Sequence, residues 1–99
     1  MFSVRVYLKV RGTVQDVGFR KFCLETALPL HITGYAENIY DGSVDVVAEG
    51  EEKDVNVFLQ KINGFDIAWH DDTRRKAVES VEITKRERFI IKRKYKEFS

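Results

Sequence analysis

Ninety-nine residues, 43% hydrophobic and 33% charged, suit one folded domain spanning 1–99 and exclude a disordered chain. A net charge of +1 supplies no whole-molecule field for drawing in nucleic acid or an anionic surface, and the lone Cys23 excludes an internal disulfide. No apolar run approaches membrane-spanning length, and a strand pattern begins almost at Met1. A protein of the reducing cytoplasm, without leader or anchor, is therefore expected.

Val4, Val6, Leu8 and Val10 alternate with Arg5, Tyr7, Lys9 and Arg11, the period of a half-buried strand. After the segment Gly12-Thr13-Val14-Gln15-Asp16-Val17-Gly18, Phe19, Phe22, Cys23 and Ala27 recur at helical spacing. They predict a first helix from about Phe19 to Ala27, ended by Pro29, because the residue before a proline is pushed out of the helical region. Thr33 to Ile39 reads as a second strand and Ser43 to Ala48 as a third, joined by the hairpin signal Asp41-Gly42 and closed by Gly50. Val55, Phe58, Leu59 and Ile62 mark one face of a second helix with Gly64 as its C-cap. Phe65 to Lys76 is polar around an isolated Trp69 and is expected to be a loop. A fourth strand is predicted from Val78 to Lys85, and a fifth from Phe89 to Tyr95 at the sheet edge. The order predicts an α+β, ferredoxin-like βαββαβ sandwich: an antiparallel four- to five-stranded sheet with two helices on one face. That fold hosts many functions and selects none.

The glycine-bounded turn between strand and helix carries chemistry. Unpaired amides at a helix N-terminus and the helix dipole favour an anion, glycines let backbone approach a phosphate, and Arg20 offers a forked, permanent charge. The same spacing also describes a tight turn beside a solvated arginine. Asn38, near the end of the second strand, has an amide able both to donate to and accept from one water; it also suits a polar position near a hairpin. Cys23 lies on the apolar helix face and reads as a packed thiol rather than a nucleophile. His31 falls in the turn after Pro29, and His70-Asp71-Asp72 lacks metal-ligand spacing. No serine–histidine triad, cysteine pair or nucleotide P-loop is legible. Arg86, Arg88, Lys92, Arg93, Lys94 and Lys96, interleaved with Phe89, Tyr95 and Phe98, suit either a nucleic-acid surface or a protected sheet edge. The near-neutral whole favours the edge.

The run Gly12-x-Val14-Gln15-x-Val17-Gly18-Phe19-Arg20 and the run Gly34-Tyr35-x-x-Asn38-x-x-Asp41-Gly42-Ser43-Val44 together resemble the acylphosphatase family. Length and element order agree from end to end, and Gly50 matches the family's glycine at the end of the third strand. The resemblance implies that the backbone of Gln15, Asp16, Val17, Gly18 and Phe19, with Arg20, holds a phosphate, and that Asn38 positions the hydrolytic water. It implies an enzyme hydrolysing acyl phosphates to carboxylate and phosphate, with no cofactor and no metal. The expected partner is that small-molecule substrate, with no nucleic acid and no membrane, and the expected state is a monomer. A carboxylate leaves without a general acid, and phosphoryl transfer leans on positioning and charge stabilisation, so the absence of a catalytic histidine fits. Asp16 departs from the pattern, standing where the family's loop usually has glycine. A carboxylate ~6 Å from one phosphate charge would cost about 3 kcal/mol at an effective dielectric of ~20, and less if it points outward into water. The alternative is a catalytically weakened phosphate- or nucleic-acid-binding ferredoxin-like module.

Overall fold

A computed structural model describes residues 2–68, 74–90 and 92–99. Its elements are β1 (Ser3–Gly12), α1 (Phe19–Ala27), a 3-10 turn (Leu28–Leu30), β2 (Thr33–Asn38), β3 (Val44–Glu51), α2 (Glu52–Asn63), β4 (Asp66–Ala68), β5 (Arg74–Lys76) and β6 (Val78–Phe89). The main sheet has the order β2-β3-β1-β6, with every neighbouring pair antiparallel. Alternation does its work in β1, where Val4, Val6, Leu8 and Val10 are at most 2% exposed. They meet Val44, Val46 and Ala48 of β3 beneath Phe19, Cys23 and Ala27 of α1 and Val55, Phe58 and Ile62 of α2. Both helices thus cover one face of a four-stranded antiparallel sheet, the ferredoxin-like α+β arrangement expected. Burial pushes the Cys23 thiol up to about 12, so the cysteine is a packed core group.

The pairing sets where a site can form. Val10 opposes Val44, and Asn38 opposes Val44 from the other side. The end of β1, the start of β3 and the end of β2 therefore share one edge of the sheet. Gly42, at φ 94, completes the β2–β3 turn, in which the Gly42 N–H donates to the Ile39 carbonyl at 3.0 Å.

Several expectations need correction. Pro29 does not break α1 by expelling its neighbour, for Leu28 stays helical at φ −56, ψ −54. Proline instead enters early in the 3-10 turn, where its missing N–H is not needed, and the chain turns away at His31, φ 55. The third strand runs past Gly50 to Glu51, which pairs with Ser3. The supposed loop contains the small hairpin β4–β5; Trp69 and His70-Asp71-Asp72 lie outside the described residues. The fourth strand extends beyond Lys85 to Phe89, and among the described residues no fifth strand follows from Phe89 to Tyr95.

The last residues instead fold around the β2 edge. The Gly34 N–H donates to the Glu97 carbonyl at 2.9 Å, the Ser99 N–H to Gly34 at 3.1 Å and the Ala36 N–H to Ser99 at 3.0 Å. On the helix-free face, the fully buried Glu49 carboxylate accepts from Arg5 Nε at 2.9 Å, Thr33 Oγ1 at 3.0 Å, and the Lys94 and Tyr95 amides at 3.1 and 2.6 Å. Tyr95 packs edge-on to Tyr35, and Phe98 is buried against Phe58. The aromatics of the basic segment are thus engaged in packing, and Phe89 lies under the Arg5 guanidinium at 4.8 Å.

Candidate active site

The loop between β1 and α1 is held at four points. At its start, the Thr13 N–H donates to the Ala77 carbonyl at 2.8 Å. A Cβ at Gly12 would stand 2.2 Å from that same oxygen, so only glycine allows this approach. Val14, 1% exposed, anchors the next turn in the core. The Gln15 side-chain amide then donates to the Ile39 carbonyl at 2.6 Å and to the Ser43 carbonyl at 2.8 Å. At its end, Phe19 is buried with its ring 5.3 Å from that of Phe65.

Between these anchors the backbone turns twice through the left-handed region, at Asp16 (φ 62) and at Gly18 (φ 84). Gly18 is the N-cap of α1, with no side chain capping it and no acidic residue in the first helical turn. Among the described residues, none of the main-chain amides of Gln15, Asp16, Val17, Gly18, Phe19 and Arg20 donates to a protein acceptor. A run of free N–H groups at an uncapped helix start is a concentration of positive dipole that suits an anion. Arg20 is exposed in the first turn, with no hydrogen bond or ion pair among the described residues. Asp16 is exposed. Neither Arg11 nor Lys21 pairs with it; Lys21 lies 3.8 Å from Glu25 instead.

Asn38 ends β2, directly before the Ile39 that Gln15 grips. Its Oδ1 is buried and has no hydrogen-bond partner. A buried acceptor without a protein partner is uncommon, which sets Asn38 apart from an ordinary turn residue. Gln15 therefore brings the loop and the end of β2 together, while Arg20 follows within one helical turn of that loop. On the far side of the turn, the Asp41 carboxylate accepts from the Ser43 hydroxyl and backbone N–H, which hold it below its ordinary pKa. Lys9 donates to Ser43 Oγ and to Asp45, and the bond to Asp45 raises the ammonium above its ordinary value.

Gln15 is expected to serve the loop through its backbone; the brace is its side chain, for which the sequence holds no signal. Phe65, Ile67 and Arg74 stand beside Val17, a placement with no trace in the sequence because short strands in a polar stretch leave no periodic signal. Among the described residues, no three of His, Cys, Asp and Glu are grouped as for a metal ion. No helix there is long and apolar enough to cross a membrane.

The chain matches the acylphosphatase family model over residues 6–97. It is 51% identical to an acylphosphatase of Caldanaerobacter subterraneus subsp. tengcongensis over 57 residues, which cover 58% of this chain and 63% of that one. Against an acylphosphatase of Thermus thermophilus the identity is 40% over 79 residues, 80% of this chain and 82% of the other. The first of these matches thus spans under two thirds of the relative, the second well over. A crystal structure of an acylphosphatase from Bacillus subtilis shares the fold, with a TM-score of 0.73 at 23% identity over 96% of this chain and 94% of that one.

Proposed function

The chain belongs to the acylphosphatase family, and on that footing we propose that it hydrolyses the carboxyl–phosphate bond of acyl phosphates to a carboxylate and inorganic phosphate. The observation that carries this reading is the run of unpaired amides from Gln15 to Arg20 at the uncapped start of α1. In the proposed reaction these amides and the Arg20 guanidinium bind the phosphoryl oxygens and stabilise the charge that builds on them. The Asn38 side-chain amide, at the end of β2, orients the attacking water and aims its oxygen at phosphorus. The new P–O bond forms as the P–O bond to the acyl group breaks, and the carboxylate leaves with the bonding pair. The water's proton passes to a phosphate oxygen. A carboxylate is so weak a base that no general acid is required, and the charge is met by amides and arginine, so the proposed reaction needs no metal or cofactor.

The same reading makes the protein a cytoplasmic monomer that binds no nucleic acid. Supporting it, residues 97–99 occupy the β2 edge, and Glu79, Glu82, Lys85, Arg86, Glu87 and Arg88 on β6 discourage pairing at the other. Tyr95 and Phe98 are committed to packing rather than offered to bases.

The test is hydrolysis of acetyl phosphate with a chelator present. Arg20→Ala is expected to weaken phosphate binding about a hundredfold, as the loss of charge-assisted hydrogen bonds implies. Asn38→Ala is expected to bind phosphate normally and lose a factor on the order of a hundred or more in kcat. Absence of hydrolysis, or full turnover by the Asn38 variant, would refute the assignment.

A further inference from the structure

The β4–β5 hairpin is tied to the phosphate loop through the main chain. The Thr13 N–H donates to Ala77, and the Ala77 N–H donates to Phe65 at 3.1 Å, directly before the hairpin begins at Asp66. Between loop and hairpin lies an open groove of about 400 Å³, lined by Val17, Phe65, Asp66, Ile67 and Arg74. Phe65 is 8% exposed and rigidly seated, with rings of Phe19 and Phe22 at 5.3 and 5.0 Å. Val17 and Ile67, both half-buried, complete an apolar wall.

We infer that this groove is the subsite for the acyl group, and that it favours uncharged acyl phosphates with an aromatic or branched aliphatic body. The inference rests on the hydrolase reading above. In-line displacement puts the attacking water and the departing carboxylate on opposite sides of phosphorus. Gln15 braces the loop to the turn beside Asn38, the proposed water side. Val17, two residues on, borders the flank built by a different element, the hairpin. The leaving group therefore has the groove in front of it. Its size falls within the range of small-molecule pockets, well beyond what a methyl or amino group fills. Among the described residues its rim pairs its charges: Arg74 Nε donates to the Asp66 carboxylate at 2.7 Å and a second guanidinium nitrogen bonds the same oxygen. An acyl group bearing its own carboxylate would have to break that pair to use Arg74.

Benzoyl phosphate and acetyl phosphate present the same reacting centre with and without a ring, so kcat/KM on the two tests the groove. Ile67→Ser is expected to lower kcat/KM for benzoyl phosphate about tenfold, mainly through KM, and to lower that for acetyl phosphate far less. Benzylphosphonate and methylphosphonate supply a readout that needs neither turnover nor the variant. Wild-type protein is expected to bind the benzyl compound roughly tenfold more tightly. Equal binding of the two phosphonates, or equal losses on both substrates, would overturn the subsite. Failure to hydrolyse either acyl phosphate would strike the hydrolase reading instead, and the phosphonate pair would still decide the groove.

Discussion

Replacing Gln15 with alanine tests the connection on which the site's geometry depends. The Gln15 amide makes two bonds, at 2.6 and 2.8 Å, from the loop to the carbonyls of Ile39 and Ser43. A net bond is worth about 0.5–1.5 kcal/mol, so the pair contributes about 1–3 kcal/mol. The lower half of that range applies, because truncation orphans neither acceptor. The Ile39 carbonyl still receives the Gly42 N–H at 3.0 Å, and the Ser43 carbonyl still receives the Ile39 N–H at 2.9 Å. A loss of about 1–2 kcal/mol in a chain of this size lowers Tm by about 5–15 °C. Function should suffer beyond stability, since the loop loses the side-chain tie, the only one among the described residues, to the strand end that carries Asn38. A placement error near 1 Å can cost about a hundredfold in rate. Thermal denaturation and acetyl phosphate kinetics well below Tm check both parts. Gln15→Glu should be worse than alanine, because its carboxylate would face two carbonyl oxygens and a phosphate. A Gln15→Ala protein with unchanged Tm and unchanged kcat/KM would refute the bracing role.

Asp16→Gly removes an exposed carboxylate from the loop and relieves a left-handed residue at φ 62; the strain relief and the added chain entropy, each about 1 kcal/mol, nearly cancel. Stability should stay within about 1 kcal/mol while phosphate binds several-fold more tightly, and a large loss of activity would assign Asp16 a positive role. Asp41 is held below its ordinary value of 3.8 by the Ser43 hydroxyl and amide. Its contribution is therefore complete above 3.8 and fades as pH falls through the lower folded value. The stability gap between wild type and Asp41→Ala, measured by urea denaturation, should narrow on acidification through that window and stay constant above it. Glu49→Ala strips a buried carboxylate from Arg5, Thr33 and two amides of the C-terminal segment, which predicts a loss of about 3 kcal/mol and rapid native-state proteolysis within residues 92–99.

How much could be read from the residues depended on how local the deciding interaction was. β1 declared itself because it is the strand with a neighbour on each side and faces of opposite character, so its alternation is complete. The start of α1 was legible too, from an apolar stripe beginning at a glycine turn, but Pro29 marked its end only by position, since the proline enters the following 3-10 turn rather than breaking the helix. β6 is an edge strand whose residues beyond Val78 are mostly exposed on both faces, and a register shift opposite Tyr7 and Leu8 breaks its parity. Nothing in its pattern marks where it stops. The three-residue strands β4 and β5 are shorter than any period that would reveal them. The C-terminal segment is the clearest case of a pattern with two meanings. Basic residues alternating with aromatics look the same whether they face a nucleic acid, guard a strand edge or wrap around one. What separates these is Glu49, a single carboxylate that collects Arg5 from 44 residues upstream and Tyr95 from 46 downstream. The site divides along the same line. The run of unpaired amides proposed to hold the phosphate followed from a glycine turn at a helix start. Its pairing with Asn38 rested on motif likeness, because the physical link, the Gln15 amide reaching 24 and 28 residues ahead, leaves no trace in either segment alone.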